Sequence, residues 1–368
     1  MLNKKGIYVE GVSAMSLAKK QREQIKKYIL KQIEDKNKDF VKKTVEVFEI
    51  SKTTVYRYVR EMIDGGVINK TDEKEFPYAL ATQIFPFYYD TKDDLQEDVI
   101  YNSDIRDKIS EFPRNVQEIW KYSFTEIMNN AIEHSEAEHI YGILRKNNLN
   151  TTIIIGDNGI GIFNKIQNYF KTKLGMNITL DEAVAELFAG KLTTDSSRHS
   201  GEGIFFTSRA VDDFMIVSGA KIFSHSSYNE FITDLKEMSS VEKKENDGTV
   251  VFMKLSNSSP KDLTDIMFKY SDVDRGFYKT VLPIVNMIEN GDPVSRSEAR
   301  RLGTVIKRFE EVTLDFENVE SVGQAFVHEL FVVFTRENPK IELKIENANE
   351  AITKMISRVM NSNNSYQN

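Results

Sequence analysis

The chain has 368 residues, enough for two or three domains, with a hydrophobic fraction of 40% and a charged fraction of 29%, an ordinary globular balance. It contains no cysteine, which excludes disulfide frameworks, cysteinyl zinc sites and thiol nucleophiles. The formal net charge of −7 is uneven: residues 1–75 carry 17 Lys and Arg against 12 Asp and Glu, and residues 76–368 carry 32 against 44.

A basic N-terminal part points either to a polyanionic partner or to a lysine-rich solvated surface. The opening MLNKKGIYVEGVSAMSLAKKQREQ lacks the apolar run of a signal peptide, and no stretch of roughly 18 apolar residues occurs. Nothing is expected to span a membrane, and the expected location is cytoplasmic.

Residues 21–35 place Ile25, Ile29 and Ile33 at helical spacing, and a second helix is expected over 38–48. In SKTTVYRYVREMIDGGVINK, Ser51 is a good N-cap, Val55, Val59, Met62 and Ile63 form an apolar stripe, and Gly65-Gly66 ends the helix before a short strand. Helix, helix, turn, helix and hairpin is the order of an all-α winged helix-turn-helix, expected over 1–75. Its third helix exposes Lys52, Thr53, Thr54, Tyr56, Arg57 and Arg60, residue types that contact phosphates and base edges. The stretch resembles the recognition helix of bacterial winged-helix domains, which implies double-stranded DNA as partner. The same small fold also serves as a docking module, and a single copy would need a homodimer for useful affinity.

Residues 76–99 are rich in aromatics and read as a connector, with a strand near Gln83–Tyr89. A helix follows over Arg114–His134, its buried stripe marked by Val116, Trp120, Phe124, Ile127 and Ala131. Glu126 and Asn130 lie four residues apart, one turn apart on one face. A carboxylate there can orient a water, and a carboxamide can ligate a hard cation. Two strands, Ile140–Arg145 and Thr151–Ile155, then lead into Gly156-Asp157-Asn158-Gly159-Ile160-Gly161. An Asp after an apolar strand can accept a hydrogen bond from an exocyclic amine in an apolar pocket, and the glycines permit close approach to a flat ring.

Residues 163–200 are mostly polar with helical patches, the clearest being Leu180–Phe188, and end in GKLTTDSSRHSGEGIFF. There Gly201 and Gly203 precede a helix whose N-terminus suits an anion. Strands are expected at Phe214–Ser218, Ala220–Phe223 and Tyr228–Asp234, and a final one opens with Gly248-Thr249.

Each piece alone is a common turn or helix. Together, ExxxN on a helix, DxGxG after a strand, GxG before a helix and GT opening a strand closely resemble the GHKL ATPase superfamily over residues 100–256. The first motif is nearest the anti-sigma-factor serine kinase branch. The resemblance implies an α/β two-layer Bergerat sandwich with ATP and Mg²⁺ as cofactors and residues 163–200 as a lid. It assigns Glu126 to activating the nucleophile and Asn130 to binding Mg²⁺. Asp157 reads the adenine amine with Thr249 in its hydrogen-bond network. Gly159 and Gly161 line adenine, and Gly201 and Gly203 form the phosphate loop. Lys191 is a further candidate for a phosphate contact. No P-loop sequence occurs, and His134, on the same helix, reads as structural.

After a linker at 257–275, strands and helices alternate over 276–360, indicating a small α/β domain. The pattern LDFENV…GQAFVHELF resembles STAS-like domains, which implies a protein partner. The usual phosphoacceptor position holds Val322, with Ser321 beside it, in place of Asp-Ser-Ser-Gly. The tail 361–368 is expected to be disordered. The expected function is a regulator in which Mg-ATP binding and slow hydrolysis switch how a DNA-binding winged helix and a STAS-like domain are arranged. A serine/threonine kinase of the anti-sigma type and a non-catalytic ATP-sensing DNA-binding regulator are the alternatives.

Overall fold

The computed structural model describes residues 14–190, 202–219, 221–224, 248–287 and 292–364. Lys191, Gly201, the end of the expected lid and the strand expected at Tyr228–Asp234 lie outside the described residues. The chain divides into two compact units, Met1–Phe85 with Arg145–Thr151, and Pro86–Leu144 with Thr152–Asn368.

The first unit holds α1 (Ala14–Glu34), α2 (Phe40–Phe48) and α3 (Lys52–Asp64), followed by β1 (Ile68–Lys70) and β2 (Tyr78–Leu80). The Ser51 hydroxyl caps α3 by accepting from the Thr54 amide at 3.1 Å. The apolar stripe then closes the core, with Val55, Val59 and Met62 buried against Ile29, Ile33 and Phe40. Each such side chain contributes about 1.5–3 kcal/mol on burial. The hairpin is antiparallel, with Ile68 opposite Leu80 and Lys70 opposite Tyr78. Its second strand comes from the stretch expected as connector.

The second unit is organised on a six-stranded sheet of order β3-β4-β5-β8-β6-β7. The strands are β3 (Gln83–Asp90), β4 (His139–Lys146), β5 (Asn150–Asp157), β6 (Asp213–Ser218), β7 (Lys221–Ser224) and β8 (Thr249–Ser256). The first three residues of β3, the last two of β4, the first two of β5 and the turn between β4 and β5 group with the first unit. β6 runs antiparallel to both β7 and β8. The short α4 (Glu97–Ile100) leads through two further turns into α5 (Arg114–His134). α5 buries Val116, Trp120, Phe124, Ile127 and Ala131, and Phe124 meets the Phe87 ring of β3 edge-on at 6.1 Å. A smaller cluster joins Ile154 of β5, Met215 of β6 and Phe252 of β8, the last two directly opposite each other in the ladder.

The stretch expected as a polar lid contains α6 (Ile162–Lys173) and α7 (Leu180–Ala189) in its described part. α7 starts from a capping box between Thr179 and Glu182 and is buried continuously from Ala183 to Ala189. Phe188 stacks on Phe223 of β7 at 3.6 Å, so α7 is part of the core. α8 (Gly203–Ala210) packs along α5.

α9 (Leu263–Tyr270) and the small hairpin β9 (Ser271–Asp272) and β10 (Gly276–Phe277) lead to a parallel three-stranded sheet of order β11-β12-β13. Its strands are β11 (Lys279–Pro283), β12 (Glu311–Asp315) and β13 (Glu342–Glu346). The helices of this region are α10 (Arg296–Ile306), α11 (324–337, with a π turn at Glu329–Phe334) and α12 (Glu350–Asn364), with α11 packed on both of the others. Of the stretch expected to be disordered, residues 361–364 are helical: α12 continues through Asn364, with the Ser362 hydroxyl bonding back to the Arg358 carbonyl at 2.8 Å. Residues 365–368 lie outside the described residues. Among the described residues no helix is long and apolar enough to cross a membrane.

Candidate functional site

The run of hydrophobic residues in β5 ends on Asp157, 7% exposed. Its Oδ1 accepts from the Gly159 amide at 2.9 Å and from the Thr249 amide at 3.3 Å. Burial pushes its carboxyl up to about 6, and these two amides oppose the shift. Thr249, the first residue of β8, is thus brought to Asp157 through its main chain. Its hydroxyl accepts instead from the Ile162 amide at 3.0 Å, beside the Ser218 hydroxyl, which accepts from the same amide at 3.1 Å.

The two glycines of the turn serve different ends. Gly161 has φ +83° and starts α6, a backbone state that suits glycine. Gly159 presses on the Ser135 carbonyl, where a side chain would collide, and the Ile160 amide bonds to that same carbonyl at 3.0 Å. Asn158 is structural, its Oδ1 accepting from the amides of Glu138 and His139 at 3.0 and 2.8 Å. Gly248 lies against the Asp157 carbonyl with no room for a side chain, and so lets β8 meet the end of β5.

Ser135 is the C-cap of α5, so the Asp157 turn abuts the end of the helix that carries Glu126 and Asn130. Glu126 and Ser135 are nine residues apart in sequence, about 13 Å along a helix axis. Both Glu126 and Asn130 are half-buried beside the apolar stripe. Glu126 touches the first residue of α8: a methyl group on Gly203 would overlap its carboxylate. Tyr122, one turn earlier, is a half-buried phenol held protonated, chiefly by burial and then by the carboxylates of Glu126 and Glu202. His134 is the last residue of α5.

α5 therefore places Glu126 and Gly203 together at its middle, and Asp157, Gly159, Gly161 and Thr249 together at its end. Lys191 and Gly201 lie outside the described residues. Sequence reasoning missed Ser218, Tyr122 and Glu202, and named Gly248 only as part of the strand-opening Gly-Thr pair. Ser218 had no usable signal. Among the described residues no group of three or more His, Asp or Glu is placed to hold a metal ion. Asn130 offers a carboxamide oxygen of the kind that can ligate a hard cation.

In the first unit, Lys52, Thr53, Tyr56, Arg57 and Arg60 are exposed along α3, Tyr56 at 54%. Thr54 differs: it is half-buried, and its hydroxyl shares a hydrogen bond with the Ser51 hydroxyl at 3.0 Å. Glu61, the acidic residue beside this face, is bonded to Arg22 of α1 at 2.5 Å and lies 3.1 Å from Lys26.

In the C-terminal region, the expected phosphoacceptor position holds Val322, which is buried. The Ser321 hydroxyl donates to Asp292 Oδ2 at 2.8 Å. Residues 298–353 match the family described as a STAS-like domain of unknown function (DUF4325). No curated protein matches the chain.

Proposed function

We propose that the chain is an ATP-binding regulatory protein of the GHKL type, with a Bergerat nucleotide domain between an N-terminal winged helix and the STAS-like region. The observation that carries this reading is Asp157: a buried carboxylate whose Oδ1 is satisfied by two amides, at the end of the helix that holds Glu126 against Gly203. The fit to adenine is chemical. A carboxyl pushed up to about 6 by burial gains from a new donor, and Oδ2 accepts no hydrogen bond among the described residues. The first turn of α8 offers amides to an anion, with Glu126 beside it.

In this reading Asp157 binds the adenine amine and Asn130 holds Mg²⁺. When bound, Mg²⁺ supplies charge neutralisation for phosphoryl transfer. Glu126 orients the nucleophile and takes its proton. Hydrolysis changes how the STAS-like region and the winged helix engage their partners. The exposed Lys52, Arg57 and Arg60, with Glu61 neutralised by Arg22, support double-stranded DNA as the ligand.

Incubation of the full chain with γ-labelled ATP and Mg²⁺ tests the enzymatic half. Free phosphate released by wild type and not by Glu126→Gln is the expected result; label transferred to protein would support the kinase alternative. Absence of either product at protein concentrations that bind ATP leaves the non-catalytic sensor. The DNA half is tested by Arg57→Glu with Arg60→Glu, expected to lower duplex affinity about tenfold or more and to flatten its salt dependence.

A further inference from the structure

The helix that begins at Gly203 is fastened at its other end to the C-terminal sheet. Arg209 lays its guanidinium over the Phe205 ring at 3.4 Å. Nη1 donates to the Phe205 carbonyl and to Ser208 Oγ, each at 3.1 Å, and Nη2 donates to the Val281 carbonyl of β11 at 3.1 Å. Its hydrogen-bond partners among the described residues are carbonyls and hydroxyls rather than a carboxylate. Burial accordingly lowers its pKa to about 10. Phe205 carries the contact further, 4.5 Å from the Phe277 ring and 5.0 Å from Tyr270.

The preceding residue of the same strand holds the other helix. The buried Thr280 hydroxyl donates to the Ala189 carbonyl at the end of α7, at 3.2 Å. One turn earlier, Glu186, 4% exposed, pairs with Arg308 just beyond α10. Consecutive residues of β11 thus grip α7 and α8.

Methionine would fill the space of Arg209 without desolvating a charge. A guanidinium there is satisfied only when its acceptors are in place, so it fixes one geometry. α8 is eight residues long and transmits that geometry about 9 Å along its axis to Gly203 and hence to Glu126. Displacements of the order of 1 Å matter at a reacting centre.

We infer that the C-terminal sheet, whose β12 and β13 lie within the STAS-like match, sets the Glu126–Gly203 contact through α8, with Arg209 as the positioning residue, so that a change in this sheet is felt as turnover at Glu126. The kinetic consequence rests on the ATP reading; the mechanical brace does not.

The test uses the full chain. Arg209→Met keeps an apolar stem over Phe205 and removes the donors, and Arg209→Lys keeps the charge with a poorer fork. Amide hydrogen exchange without nucleotide is expected to rise about tenfold over residues 203–208 in Arg209→Met, with β4 and β5 unchanged. Mg-ATP turnover is expected to fall about tenfold with Kd within threefold, and Arg209→Lys to recover part of it. Unchanged exchange over 203–208, a uniform rise across the unit, or a loss of affinity as large as the loss of turnover overturns the inference. If Arg209→Met does not fold, the near-isosteric Thr280→Val decides: faster exchange over 186–189 with lowered turnover supports it, and neither change overturns it. A wild type that binds no Mg-ATP removes the proposed function, and the exchange measurements then judge the brace alone.

Discussion

Asp157 and Asp292 make nearly the same bonds in two regions of the molecule and end with opposite electrostatics. Each uses one oxygen to accept two main-chain amides, Gly159 and Thr249 for the first, Glu320 and Ser321 for the second. Asp292 also accepts the Ser321 hydroxyl and sits at the surface, and the Ser321 amide foremost holds its carboxyl below the usual range. Asp157 is closed off from water, and burial outweighs its two amides, pushing it up to about 6. The same hydrogen bonds therefore go with a lowered carboxyl in one place and a raised one in the other. Solvent access decides which.

The largest expected effect separates the two carboxylates by ligand. Asp157→Ala should weaken Mg-ATP binding at least about 100-fold, the scale of a charge-assisted hydrogen bond lost in a buried site, while Asp292→Ala leaves the affinity unchanged. Equal loss in both would dissolve the distinction.

Next in size is the partition of roles along α5. Glu126→Gln should lower turnover by about 100-fold with affinity within threefold, because its proposed role is on the nucleophile rather than on adenine. A parallel loss of affinity would move Glu126 into binding.

The third prediction concerns pH. Between the unfolded value of 3.8 and the folded value of about 6, the native state binds more protons at Asp157 than the unfolded chain does. Its contribution therefore lowers stability as pH rises through that window, by about 3 kcal/mol once complete. Asp157→Asn should raise the Tm of the nucleotide-free protein at pH 7.5 and change it little near pH 4. Asp292 has the opposite sign: its stabilisation is present above the unfolded value and lost as pH falls through the folded one. Asp292→Asn should therefore lower Tm at pH 7.5. Wild-type ATP affinity should also fall about tenfold from pH 7.5 to pH 5, with a flat profile in Asp157→Asn. The smallest effect belongs to Ser321→Ala, which removes one surface hydrogen bond to Asp292. A slight fall in Tm with unaltered nucleotide binding is expected.

Much of the fold was legible because local pattern decided it. The stripes of α3 and α5, the Ser51 cap and the alternation of strands and helices after residue 276 follow from spacing and termini alone. The Asp157 turn was legible as an apolar strand running into glycines. What escaped depends on partners remote in sequence. Ser218 meets the Ile162 amide 56 positions away, and Glu186 meets Arg308 across 122. The stretch 163–200 read as mostly polar with helical patches, yet the later residues of α7 fill the space between β7 and α10. Periodicity says that a face is apolar; it does not say what covers it. Arg209 carries no signal in the sequence for the same reason, since the Val281 carbonyl it serves lies 72 positions on.

The measurement closest to the central claim is isothermal titration of the full chain with Mg-ATP at pH 7.5, for wild type and Asp157→Ala side by side. The account predicts a saturable 1:1 isotherm for wild type and none for the variant over the same range, with both proteins folded by circular dichroism. No heat of binding in the wild type, or the same isotherm in both, would contradict it.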